Sequence, residues 1–355
     1  MKKIGLVSFG TRGTSGHMTL LTELADSISQ KGVEIYVISE YDYQAQTNIR
    51  SPNIYWRMIS SQKHQESVAG KLKHKSAQEV NKIIEQENID SIIFSTFFDP
   101  EIIQYAKENK MHTSLITYPL RDSYSNLFFM KGFQKLFSHV FVLEDIIPMN
   151  IYEENGAIIS RQPAKKYQRE EKKDSVPKIL ISCGGAGLPS AEIFYALVNE
   201  AILGIFDSYP DSQITITTGA LNDKKLFGRL KKDNRVRIIE WIKEWSKEAA
   251  KSDLVINEAG YFSVNELVRN SVPTILIPGS RRMDNQELRA INYQRKGFGY
   301  CVLPQEGVSS LIQRVDDFFR NSEQKEIIKS SCEEYNKRRD LIPSISENIT
   351  KHLIN

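Results

Sequence analysis

The feature that most constrains this chain is a pattern that runs twice: short β-branched runs alternate with longer stretches of helical periodicity, in one half and again in the other. Such alternation marks βα units assembled on a parallel sheet. The first pass predicts strands at Ile4–Ser8, Glu34–Ser39, Ser91–Thr96, Thr113–Thr117 and Val140–Leu143, with helices such as Met18–Gln30 and Glu101–Lys110 between them. The second predicts Lys178–Ser182, Gln213–Thr218, Val236–Ile239, Leu254–Asn257 and Thr274–Ile277, separated by helices such as Ala191–Phe206 and Asn285–Lys296. Between the passes, QPAKKYQREEKKDSVP lacks apolar periodicity and carries a proline near either end, so it reads as a linker.

At 355 residues the chain suits two α/β domains, each able to bury its own core. The expected division is 1–163, a linker 164–177, a second domain 178–335, and a terminal helix 336–355 packing back toward the first domain. Pro343 interrupts the helical pattern that begins near Val308. Two such halves place a cleft between the carboxyl edges of two sheets, where open α/β sheets bind ligands. A net charge of +3 gives no argument for nucleic acid, and no apolar run approaches the roughly 20 residues that span a bilayer. Met1–Ser8 enters a strand directly, without the pattern of a secretory signal. Three widely spaced cysteines, Cys183, Cys301 and Cys332, fit reduced thiols and neither a disulfide framework nor a zinc site. A cytoplasmic location is expected.

Three segments can carry chemistry. Phe9–His17 contains Gly10, Gly13 and Gly16 after the first strand, and its backbone N–H groups meet a helix start where a phosphate or hydroxyl-rich ligand can sit. The spacing is not the dinucleotide fingerprint, which disfavours a nicotinamide enzyme. A tight turn with His17 as a helix-start residue explains the same residues. Ser182–Gly187 repeats the arrangement in the second half with Gly184, Gly185, Ala186 and Gly187, and lacks the ending of a triphosphatase loop. In the run Ser252–Leu303, polar groups gather at strand ends: Asn257-Glu258-Ala259-Gly260, then Glu266 on a helix, then Pro278-Gly279, then Asp284-Asn285-Gln286-Glu287. A carboxylate such as Glu266 can accept both hydroxyls of a ribose, and Gln286 and Glu287 can address sugar hydroxyls. Taken singly, each is an ordinary solvated helix residue; only as a set do they point to a ligand.

Together these motifs resemble glycosyltransferase family 28, whose bacterial members include the enzyme that adds N-acetylglucosamine to the lipid-linked muramyl-peptide precursor of peptidoglycan. Gly13-Thr14-Ser15-Gly16-His17 resembles the family's first glycine loop, Gly184–Gly187 its later one, and Ser252–Leu303 its donor signature. The resemblance implies a GT-B fold, two facing Rossmann-like domains, with the acceptor on the amino-terminal half. It implies that Glu266 holds the donor ribose, that Gln286 and Glu287 contact the donor sugar, and that Ile242, beside Trp241, offers backbone groups to uracil. By the same resemblance, Gly260, Tyr261, Phe262, Ser263, Asp284 and Asn285 belong to the donor site, with Gly13, Ser15 and Gly16 reaching it from the first loop. The donor would be a UDP-sugar and no metal is implied, since glycine-loop donors and helix dipoles stabilise the leaving diphosphate.

Departures from the family fall on the acceptor side. Ile116-Thr117-Tyr118-Pro119 stands where the family has His-Glu-Gln-Asn, and Ser95–Pro100 is bulky and acidic where it has a glycine-rich segment. Glu287 replaces the second glutamine of a Gln-Gln pair, which leaves the sugar open as a hexose or aminohexose. The expected reaction is inverting transfer to a hydroxyl acceptor, lipid-linked, cell-envelope or natural-product. His17 is the first candidate base, with Asp99 and Asp122 in reserve, although loop carboxylates also serve as caps. Asn126–Phe137 mixes aromatics with Lys131 and Lys135, as an interfacial helix at an anionic membrane would, joined by Lys63, Lys71, Lys73 and Lys75. A buried helix explains that run equally. A nucleotide-sugar hydrolase and a non-catalytic sugar-nucleotide binder are the rival functions.

Overall fold

The computed structural model describes residues 1–9, 15–40, 51–59, 75–167, 176–184, 190–219 and 227–354, with residues 15–18 and 75 described by backbone alone. The chain forms two compact units, one of Met1–Glu144, Met149–Pro163 and Ile342–Asn355, the other of Asp145–Pro148 and Ala164–Leu341.

The first unit is built on a seven-stranded sheet of parallel strands in the order β3-β2-β1-β4-β5-β6-β7. Its strands are β1 Lys3–Ser8, β2 Glu34–Ser39, β3 Ile54–Met58, β4 Ser91–Ser95, β5 His112–Thr117, β6 His139–Leu143 and β7 Ile158–Ser160. The interior strands are buried almost throughout, as parallel strands covered on both faces must be, which is why their sequences are unbroken apolar runs. The edge strands β3 and β7 are not anticipated by the sequence reading. They are only partly buried, and β3 carries Arg57, so neither shows an apolar run. The helices of this unit are α1 Ser15–Ser29, α2 Lys75–Glu87, α3 Pro100–Glu108, α4 Asp122–Met130, α5 Asn150–Glu154 and, from the far end of the chain, α12 Ile345–Ile349. Ser344 and Glu347 cap α12 reciprocally, and Asn348 donates to Ser160 Oγ at 2.9 Å, which fixes the chain end against β7.

The second unit repeats the scheme with six parallel strands in the order β10-β9-β8-β11-β12-β13. These are β8 Lys178–Ser182, β9 Gln213–Thr217, β10 Val236–Ile239, β11 Leu254–Asn257, β12 Thr274–Leu276 and β13 Gly299–Cys301. The three-residue β13 is a further strand the sequence pattern did not disclose, too short to show a period. Its helices are α6 Ser190–Ser208, α7 Trp245–Lys251, α8 Tyr261–Arg269, α9 Gln286–Arg295, α10 Gly307–Arg320 and α11 Ser322–Arg339. Phe194, Tyr195, Val198 and Ile202 of α6 centre its apolar core with Leu311 and Val315 of α10. The start of the stretch read as a linker is held in this unit: Asn270 accepts from Tyr167 N–H at 2.7 Å and donates to Lys165 O at 3.1 Å.

In both sheets the strand order reverses once, between β1 and β4 and between β8 and β11. The carboxyl ends of those strand pairs are the places where such sheets present ligands.

Candidate functional site

In the second unit the reversal point is tied by side chains. Asn257, the last residue of β11, donates to Ser182 O at the end of β8 at 2.8 Å. Beyond it, Glu258 is 4% exposed and its carboxylate gathers three donors from three segments. Ser190 Oγ, at the first residue of α6, donates to Oε1 at 3.0 Å; Cys183 Sγ, just past β8, lies 3.2 Å from Oε2; and Arg281 Nη2, from the loop after β12, also donates to Oε2. Burial, followed by the adjacent carboxylate, pushes the Cys183 thiol well above the usual range, so it is a hydrogen-bond donor rather than a thiolate. Gly279 allows this arrangement, because a Cβ there would overlap Glu258 Oε1 and approach Ser190 Cβ to 3.1 Å.

The same strand ends fix Gln286. Its Oε1 accepts from Gly279 N–H at 2.8 Å, which turns the amide nitrogen toward Gly260, 4.0 Å from where a Cβ at Gly260 would lie. Gln286 is buried at the first position of α9, while Glu287 beside it is exposed. Asn285 caps α9 through Leu288 N–H. Asp284 turns instead to an arginine, accepting from Arg289 Nη1 at 2.7 Å. Arg289 is fully buried, bonded also to Asp145 at 2.8 and 2.9 Å and to Ala259 O at 3.0 Å, with its guanidinium 5.5 Å from the Tyr261 ring centre. Burial opposes its charge, but Asp145 and Asp284 more than offset that and raise its pKa. Asp284 and Asn285 thus hold the turn into α9, and the Tyr261 ring faces the same guanidinium.

Glu266 lies on α8 one turn beyond Tyr261, Phe262 and Ser263. Its Oε2 accepts from Ser246 Oγ, in the first turn of α7, at 2.6 Å. Burial raises its pKa, opposed by Ser246 and by Lys165. Ile242 and Trp245 pack with Leu180, Val255 and Leu267 under the same corner, and Trp241 is 50% exposed beside them. The structure thus brings the Ile242 segment and Glu266 together through α7. Sequence reasoning missed Ser246, whose signal was only its place at the head of a short helix, and, although it named Glu258 at a strand end, missed its pairing with Arg281.

Of the glycine-loop candidates, Gly184 adopts φ +50°, a conformation that suits glycine, directly after Cys183. Gly13, Gly185, Ala186 and Gly187 lie outside the described residues, as do Lys63, Lys71 and Lys73 and the side chains of Ser15, His17 and Lys75, while Gly16 is described by its backbone in the first turn of α1. The backbone of His17 belongs to the first turn of α1, which follows β1 at the first unit's reversal point.

In the first unit, Asp99 is buried and its Oδ1 accepts from Glu101 N–H at 2.8 Å as the N-cap of α3, which places the carboxylate in a structural bond. Asp122 is exposed in the first turn of α4. Thr96, after β4, holds φ +61°, an uncommon conformation for a β-branched residue, and Phe97 follows with 37% of its surface exposed. The 126–137 run divides: Phe129 and Phe137 point inward, while Leu127, Met130, Phe133 and Leu136 are exposed along with Lys131 and Lys135.

Residues 178–345 match the glycosyltransferase family 28 C-terminal domain. A UDP-N-acetylglucosamine--N-acetylmuramyl-(pentapeptide) pyrophosphoryl-undecaprenol N-acetylglucosamine transferase of Rickettsia bellii is 26% identical over 195 residues, 53% of this chain and 52% of that protein, so this match spans about half the relative's length. The enzyme of the same name from Rickettsia felis is 25% identical over 367 residues, 96% of each chain. Among solved structures, the spinosyn forosaminyltransferase SpnP superimposes with a TM-score of 0.73 at 12% identity, covering 100% of this chain and 98% of its own. The MurG of Acinetobacter baumannii gives 0.63 at 16%, covering 96% and 99%, and the glycosyltransferase VinC, solved with dTDP, gives 0.67 at 13%, covering 100% and 99%. The two parallel-sheet α/β units share the GT-B fold of these glycosyltransferases, and residues 178–345 are similar to the C-terminal domain of glycosyltransferase family 28.

Proposed function

We propose that the chain transfers a hexose or aminohexose from a UDP-sugar to a hydroxyl acceptor, with inversion and without a metal. The observation that carries this reading is the corner of the second unit where Glu266 meets Ser246 above Ile242, with the Gln286 amide fixed at the neighbouring strand ends. A carboxylate held by one hydroxyl keeps lone pairs for the 2′- and 3′-hydroxyls of a ribose. Backbone groups near Ile242 then receive the uracil, and Gln286 and Glu287 address the sugar. His17 is the proposed base: it takes the proton of the acceptor hydroxyl, the oxygen bonds to the anomeric carbon, and the bond from that carbon to the diphosphate oxygen breaks, releasing UDP. Asp122, exposed, is the reserve; the cap on α3 makes Asp99 the weaker candidate.

The acceptor is a hydroxyl compound, lipid-linked, cell-envelope or natural-product. Leu127, Met130, Phe133 and Leu136, exposed beside Lys131 and Lys135, support peripheral contact with anionic lipid, and among the described residues no helix is long and apolar enough to cross a bilayer. Sedimentation with anionic vesicles at low salt, lost in a Met130→Glu/Leu127→Glu variant, is the expected result.

Incubation with a panel of UDP-sugars, following UDP, sugar phosphate and free sugar, tests the assignment. UDP formed only with an added acceptor supports transfer. Acceptor-independent release of UDP and sugar would show a hydrolase, binding without turnover a sensor, and a His17→Ala protein with full turnover would remove His17 as the base.

A further inference from the structure

We propose that Arg281 is a diphosphate-binding residue of the donor site, donating from Nη1 to a phosphate oxygen of the nucleotide while Nη2 stays bound to Glu258. This deepens the donor reading above and rests on it. Arg281 is 14% exposed, and its Nη1 is buried without a hydrogen-bond partner among the described residues. A buried donor left unmade is costly, so a guanidinium half-satisfied at a strand-end loop is a group awaiting an acceptor. Its place says which one. Glu258 receives Ser190, the first residue of the long helix α6, on one oxygen and Arg281 on the other, so an anion drawn to the amino terminus of α6 meets the guanidinium as well. Glu258 neutralises only one edge of the fork, and a planar guanidinium matches phosphate geometry on the other. Gln286, proposed above for the sugar, accepts from Gly279 N–H, and a Cβ on Gly279 would meet Glu258 and Ser190, so the amide, the Glu258–Arg281 pair and the start of α6 converge on one strand end.

The test is calorimetric binding of UDP, UMP and inorganic pyrophosphate to the full chain and to Arg281→Lys and Arg281→Met/Glu258→Gln. Lysine keeps the Glu258 counter-charge but loses the second N–H, and the double variant removes both charges, so a folding defect in one leaves the other. The expected result is UDP and pyrophosphate affinities lowered about 10- to 100-fold, with UMP changed less than about threefold. Unchanged UDP affinity, or equal losses for UDP and UMP, would overturn the role of Arg281 while leaving the donor reading intact. Arg281-dependent pyrophosphate binding by a protein that takes up no uridine nucleotide would uphold the anion site and sink the uridine assignment.

Discussion

The two sheets reverse at corresponding places, yet the strand ends there are built from opposite materials. After β8 and β11, groups from several segments are wired through carboxylates and guanidinium groups: Ser190, Cys183 and Arg281 onto Glu258, and Asp145, Asp284 and Ala259 O onto Arg289. After β4, at the first unit's reversal point, the described contacts are of another kind: a backbone bond, an aromatic cluster and the Asp99 helix cap. Thr96 sits at φ +61° with its N–H on Ile116 O, and Phe98 packs edge-on against Phe133 and Phe137. A satisfied ionic network in low dielectric holds its members to one geometry. That suits recognition of one fixed group, such as a nucleotide diphosphate. A strained β-branched residue beside aromatics persists only where the surroundings over-determine it, and such strain clusters at ligand-handling sites.

The contrast breaks first, and most visibly, at Arg289. Arg289→Met leaves Asp145 buried without its partner, which costs about 3–5 kcal/mol. Because Asp145 and Arg289 both belong to the second unit, the loss should be confined there. Tryptophan fluorescence separates the units, since Trp56 lies on β3 and Trp241 and Trp245 lie in the second unit. Urea titration of a Trp56→Phe background should show the midpoint falling, and a Trp241→Phe/Trp245→Phe background should show it unchanged. An equal fall in both would mean that Arg289 supports the whole chain.

The next effect concerns selectivity. If Glu266 accepts both ribose hydroxyls, 2′-deoxy-UDP should bind about 10- to 100-fold more weakly than UDP, the worth of one hydrogen bond to a charged group. Burial raises the Glu266 pKa in the folded chain above the ordinary 4.5. Ionised Glu266 therefore costs the free protein stability as pH rises through that raised value, and acidification protonates it before an exposed carboxylate would take up a proton. The preference for UDP over 2′-deoxy-UDP should shrink as pH falls through a window beginning above 4.5, and vanish in Glu266→Ala. A preference that persists in Glu266→Ala would place the ribose elsewhere.

Gly279→Ala sharpens the comparison by forcing Glu258 off its three donors. An inserted methyl in a filled site costs about 1–3 kcal/mol, and the displaced carboxylate should carry Arg281 with it. Thermal unfolding of the second unit and UDP binding should therefore weaken together.

What the sequence disclosed follows the same division. Strands such as Glu34–Ser39, Lys178–Ser182 and Leu254–Asn257 were legible to the residue because interior parallel strands are apolar on both faces. β3, β7 and β13 were not, being short or half-exposed. Within the site, Glu266 and Gln286 stand in local motifs that a linear reading can find. The Cys183–Glu258 contact joins residues 75 positions apart, and the Asp145–Arg289 pair joins residues 144 apart. No local period encodes such pairs; the sheet's crossover connections create them.

The smallest effect lies on the other side of the comparison. Asp99 serves a helix end, so Asp99→Ala should remove one cap worth about 1 kcal/mol and lower the Trp56-reported midpoint alone. Asp99→Asn should recover most of that loss, because an amide oxygen can accept the same Glu101 N–H. If Asp99 were the base instead, Asn would restore stability and leave turnover abolished. Measuring both quantities on the pair of variants therefore separates cap from base, and a stable but inactive Asp99→Asn protein would shift the proposed chemistry from His17 to the end of β4.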